Sequence, residues 1–206
     1  MAGLPCPNWE YNDIPDISQL LFDRANKILI EILSSDDDGK VSLCFDTRPK
    51  HETYFFELTP PNLPHFAGHY RGERYECLEG YRVHIPSDSR VGHDPADVLK
   101  NMDAFKRDIK KAVDDCDSIW RLDSSKFSED EKLNRTIKLL VALFVYFLEI
   151  HPYANGNGHM ARLILISLLS RYKIFLSQWL IEPKPRQLVA GTSYSDCIKL
   201  HRDGQV

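Results

Sequence analysis

Apolar residues return at helical intervals along most of this chain, and the exceptions are concentrated in one region. Between 16 and 34, Ile17, Leu20, Leu21, Ile28, Ile30 and Leu33 fall largely at helical spacing, with Asp16 and Gln19 placed as a capping start. From Asp36 to about Pro86 the pattern changes: Pro49, Pro60, Pro61 and Pro64 stand among aromatics. That composition predicts loops, a short helix near 51–58 and short strands. Residues 74–85, RYECLEGYRVHI, read as two strands turning at Glu79-Gly80, a β-hairpin. Asp94-Pro95 opens a helix that should run to about Trp120. Ser128 and Glu131 form a capping box for a helix reaching Ile150, apolar nearly all round and therefore expected at the buried centre. Further helices are expected over 159–172 and 194–201, with Pro183 and Pro185 stopping the segment between them. The pattern is mainly α with one small β-hairpin.

Composition narrows the class. A chain of 206 residues with 43% hydrophobic and 27% charged residues suits one well-cored domain. A net charge of −4 is a poor fit to a nucleic-acid binder, which carries a basic surplus. Asp36, Asp37 and Asp38 read as a solvated acidic loop. The longest apolar run, 139–147, is too short to span a bilayer, and the first residues lack the basic start and apolar run of a signal peptide. Five scattered cysteines without a C-x-x-C pair read as reduced thiols. Together these features predict a soluble, cytoplasmic protein that engages neither nucleic acid nor membrane.

The chemistry concentrates in HPYANGNGHMAR, residues 151–162, which separates two apolar segments. Proline after His151 ends the first helix. Gly156 and Gly158 allow positive φ and a close approach of ligand atoms to the backbone. Their N–H groups, at the start of the next helix, suit an anion, and Arg162 lies one turn further with a fork matched to phosphate oxygens. The same residues also suit a plain turn, with His151 at a helix end and Arg162 on a surface; spacing alone weighs the two evenly. His65 and His69, four apart, lie in a proline-rich stretch without an H-E-x-x-H pattern, so zinc is disfavoured.

Residues 151–162 resemble the Fic (Fido) family motif, H-P-F-x-D/E-G-N-G/K-R-x-x-R. His151, Pro152, Gly156, Asn157, Gly158 and Arg162 match it, and Tyr153 replaces its phenylalanine. FAGHYRGE at 66–73 resembles the family's G-x-F/Y-R segment, and 74–85 falls where its flap hairpin belongs. The resemblance covers residues 51–206 and implies a Fic-type helical core with a small hairpin flap. Residues 1–50 would form a helical extension or the first core helix. It implies transfer of AMP from ATP to a Ser, Thr or Tyr hydroxyl of a target protein, with His151 as general base. Gly156, Asn157, Gly158, His159 and Arg162 would hold the phosphates. Mg²⁺ is the implied cofactor, and Tyr75, Leu78, Tyr81 and Val83 would be the flap that aligns the target as an added strand.

Two positions depart from the motif. Its acidic residue, which helps hold Mg²⁺, is Asn155, an amide without charge. Its first arginine is His159, a switchable contact in place of a permanent one. They leave open another nucleotide or diphosphate donor, a non-catalytic module binding nucleotide or partner, and a purely structural domain. The inhibitory pattern S/T-x-x-x-E-G/N is absent, since Thr53…Glu57 is followed by Leu58 and Ser125…Glu129 by Asp130. Inhibition of that kind would need a separate chain.

Overall fold

The computed structural model describes residues 6–11, 14–83, 88, 90–176, 181–182 and 193–205. Seven helices are seen among them: α1 (Ile17–Ser34), α2 (Asp37–Phe45), α3 (Arg48–Phe55), α4 (Pro95–Trp120), α5 (Glu129–Ile150), α6 (Asn157–Arg171) and α7 (Tyr194–Arg202). A single 3₁₀ turn, Pro64–Phe66, lies between α3 and α4. No described helix is long and apolar enough to cross a membrane.

The long helices follow their sequence signals. Asp94 caps α4 by accepting from the Ala96 N–H, and Ser128 and Glu131 close the capping box of α5. In α4, Val98, Met102, Phe105, Ile109, Val113 and Cys116 make one buried stripe. That stripe packs on α5, α5 packs on α6, and α2 covers α6 from the other side. The centre is therefore α6, buried without a break from Met160 to Ser170, and not α5 as its sequence suggests. Helix α5 keeps Asn134, Arg135, Lys138 and Ala142 exposed.

The described residues before Thr47 contribute to the same core. Trp9, Ile17, Leu21, Ile28, Ile32 and Cys44 join one hydrophobic cluster with α4, α5 and α6. The buried stripe of α1 runs through Ile17, Leu21, Ala25, Ile28 and Ile32, which leaves Leu20, Ile30 and Leu33 exposed. Asp16 takes a left-handed conformation and makes no side-chain cap, so the capping start expected there does not form. The acidic loop at Asp36–Asp38 is the opening of α2, with Asp36 accepting from the Gly39 N–H.

The hairpin is not seen. Residues 74–83 are turns and irregular chain without a strand, and the remainder of the expected hairpin, like Pro183 and Pro185, lies outside the described residues. Within it the backbone bonds are those of turns: Leu78 N–H donates to the Tyr75 carbonyl and Tyr81 N–H to the Leu78 carbonyl. Leu78 is fully buried, which closes the loop around its own side chain. Cys77, at φ 64°, is disulfide-bonded to Cys6 with 5.4 Å between Cα atoms. This corrects the reading of all five cysteines as free thiols. A separation of 71 residues left no local signal of the pair. Cys44, Cys116 and Cys197 remain free.

Arg71 ties this loop to the rest. Its side chain is fully buried and donates to the carbonyls of Ile150, His151, Tyr81 and His93 at 2.7–3.1 Å. Its own N–H donates to the Pro152 carbonyl. The last carbonyls of a helix lack intrahelical partners and carry partial negative charge, so a buried guanidinium suits the end of α5. Burial lowers its pKa to about 10, which still leaves it charged at neutral pH. Arg71→Ala should lower stability by about 3 kcal/mol or more in urea unfolding, with Arg71→Lys recovering part. A loss below about 1 kcal/mol would show that these carbonyls find other partners.

Candidate active site

The chain leaves α5 at Ile150 and enters α6 at Asn157, and three of the six residues between them, His151, Asn155 and Gly156, line a cavity of about 470 Å³. His151, Asn155, Gly156, Asn157, Gly158, His159 and Arg162 all line it. The remaining wall comes from Tyr11, from α1, from Asp88 and Val91, from Glu182 and from α7. The structure thus brings the motif residues together. Among the proposed flap residues, Tyr75, Leu78, Tyr81 and Val83 do not line the cavity.

His151 sits at the C-cap of α5 with φ 52°. Its Nδ1 lies 3.2 Å from the Leu148 carbonyl, an acceptor only, so Nδ1 carries the proton and Nε2 is the free base. Burial lowers its pKa to about 4; the bond to Leu148 opposes this, and the charges of Arg71 and Arg202 add to it. A helix end favours the protonated form and apolar surroundings disfavour it. Burial wins. The imidazole is neutral at pH 7.

The loop is braced from behind. Asn157, buried, spends its amide on Tyr153, accepting from its N–H and donating to its carbonyl, both at 2.9 Å. Its side chain therefore neither caps α6 nor faces an anion. Asn155 donates to the Trp9 carbonyl and accepts from the Gly156 N–H, both at 2.7 Å. His51, fully buried, stacks on Tyr153 at 3.7 Å between centroids and reaches the Asn155 carbonyl at 3.0 Å. Gly156, at φ 78°, has no room for a side chain: a Cβ would lie 2.2 Å from the Phe55 ring. Among the described residues the N–H groups of Asn157 and Gly158 have no partner, so α6 begins with two open donors at its positive end.

Arg162, one turn into α6, is buried, with Nε donating to the Ile181 carbonyl. His159 meets the carboxylate of Glu182 at 2.6 Å. Burial is the largest influence on both. It lowers His159, with the bond to Glu182 opposing. It would raise Glu182, but the contacts with His159, Arg162 and Tyr54 outweigh it and hold that carboxyl below its ordinary value. A neutral imidazole thus donates to an ionised carboxylate.

Residues 93–169, from the start of α4 through α5 and the loop into α6, match the model of the Fic/DOC family. That match supports a Fic domain over those residues. Comparison with curated proteins and with solved structures gives no match. Around the matched segment, the sequence alone missed five residues of weight: Tyr11, His51, Arg71, Glu182 and Arg202. Arg71 stood inside the quoted FAGHYRGE and had a signal; Glu182, in the segment before Pro183, had none.

His51 and His151, pushed down to about 3 and about 4 by burial, fix the pH response together with His159. Each binds its proton more weakly folded than unfolded. Their stabilising contribution is complete above about pH 6.5 and is lost as pH falls toward the folded values. His51 and His151 should each cost roughly 1.4 kcal/mol per pH unit over that interval, with His159 acting in the same direction. Denaturant midpoints measured from pH 7 to pH 5 should fall steadily. A flat profile would mean that these imidazoles are hydrated and ordinary.

Proposed function

We propose that this Fic domain transfers a nucleoside monophosphate, AMP from ATP, to a Ser, Thr or Tyr hydroxyl of a protein target. The observation that carries the reading is a neutral His151, its Nε2 unprotonated, in one cavity with the open N–H groups of α6 and with Arg162. In the proposed step Nε2 takes the hydroxyl proton as the hydroxyl oxygen bonds to the α-phosphorus. The bond from that phosphorus to the bridging oxygen breaks, and pyrophosphate leaves. The N–H groups of Asn157 and Gly158 would meet the diphosphate, since backbone donors at a helix start stabilise such anions. Arg162 would take the outer phosphate. The cavity volume suits a small molecule of nucleotide size.

Glu182 bears on the donor. Its carboxylate occupies His159, the position the motif gives to a phosphate contact, and lies within the field of Arg162. A phosphate entering there displaces it or meets a like charge. This observation favours the second reading, a donor other than ATP with a different outer group, and the test separates the two.

Purified protein incubated with a cell lysate and each of several nucleoside triphosphates and diphosphate donors should add a nucleoside monophosphate to protein hydroxyls, read by peptide mass spectrometry. His151→Ala should lower transfer by about 10²–10⁴-fold while leaving nucleotide binding intact. Transfer from a donor other than ATP would move the assignment to that donor. Nucleotide binding without transfer, in wild type and variant alike, would leave a binding module and overturn the transferase.

A further inference from the structure

A divalent cation is the partner that a diphosphate site of this family implies, and Asn155 stands at the position that would help hold it. The side chain is not free to do so. Its amide donates to the Trp9 carbonyl and its oxygen accepts from the Gly156 N–H, each at 2.7 Å. One lone pair of that oxygen is taken and the other brings no charge to an ion, while turning the oxygen away would release Gly156, whose φ of 78° opens α6, and with it the N–H groups that would meet the anion. The carboxylates on the cavity wall are also committed. Glu182 is bonded to His159, Asp88 is paired with Arg90 and Arg202, and Asp196 closes the capping box of α7. Among the described residues no group of three or more His, Cys, Asp or Glu side chains is placed to hold a metal. These residues do not fit Mg²⁺, a hard ion that binds through one or two carboxylates beside the phosphates.

We propose that the diphosphate site works without a divalent cation, and that Asn155 is a strut joining the N-terminal segment to the motif loop. The inference rests on reading the cavity as a nucleotide site. Charge on the anion is then met by Arg162, by the N–H groups of Asn157 and Gly158 and by the positive end of α6. At the other end of the strut, Trp9 is buried, with its indole N–H on the Leu58 carbonyl at 2.7 Å, and Cys6 is bonded to Cys77. Asn155 is then a structural amide at the position where the motif has a metal ligand. An aspartate could not donate to the Trp9 carbonyl and would place two acceptors face to face.

Calorimetric titration of ADP into the whole protein tests this, once with excess Mg²⁺ and once with EDTA. Wild type should bind with dissociation constants that agree within about a factor of three. Asn155→Asp should bind ADP poorly in EDTA and recover with Mg²⁺, a ratio of about tenfold or more. Its unfolding midpoint without ligand should also fall. Wild-type affinity weakened about tenfold or more by EDTA would overturn the proposal while sustaining the nucleotide site. Equal metal response in Asn155→Asp and wild type would remove Asn155 from the explanation and overturn its role. If ADP binds under neither condition, the nucleotide reading fails and takes the inference with it. The wild-type comparison decides even if the variant does not fold.

Discussion

The guanidinium of Arg71 is the contact on which the rest of the site depends. It is fully buried, and it meets the carbonyls of Ile150 and His151, Tyr81 and His93. Such a charge is tolerable inside a protein only when its donors are satisfied, and here the satisfied donors do structural work at three places at once. They end α5, fix the chain on both sides of the irregular segment, and hold His151 at the edge of the cavity. A left-handed His151 beside Pro152 would otherwise leave the last α5 carbonyls without partners. Position and basicity of the imidazole therefore have a common origin. The same burial that immobilises His151 keeps it unprotonated.

Around that anchor the motif loop is held by its own polar side chains. Asn157 folds back on Tyr153, Asn155 reaches Trp9, and His51 joins α3 to the Asn155 carbonyl. Side chains that look like ligands in one dimension are mostly braces in three. For the anion proposed above, the groups left are the backbone N–H donors of α6 and Arg162, with Glu182 to be displaced. Glu182 is the counterweight, a carboxylate from a distant segment resting on His159.

The helices were legible because their signals are local. The Asp94-Pro95 entrance, the Ser128–Glu131 box and the stop at His151-Pro152 are each contained within a few residues, and the helices begin and end there. The NGNG loop was legible as a break, and its residues do gather at one cavity. Other features depend on partners far away in sequence. Alternation in 74–85 reads as a hairpin, but Leu78 is buried and Cys77 is bonded to Cys6, and residues 74–80 run as turns. The apolar character of α5 suggested the centre, whereas α6 holds it because α2 and α5 cover it from two sides. Arg71 and Glu182 acquire their meaning only from the carbonyls and the imidazole that the fold places beside them.

In the proposed function the loop between α5 and α6 stops both helices in order to hold a diphosphate. A crystal structure of the protein grown with ADP tests it most directly. The account predicts phosphate oxygens within hydrogen-bonding distance of the Asn157 and Gly158 N–H groups and of Arg162, with His151 Nε2 facing the α-phosphate. ADP bound elsewhere, or a loop that keeps Glu182 on His159 beside a nucleotide that never touches α6, would contradict it.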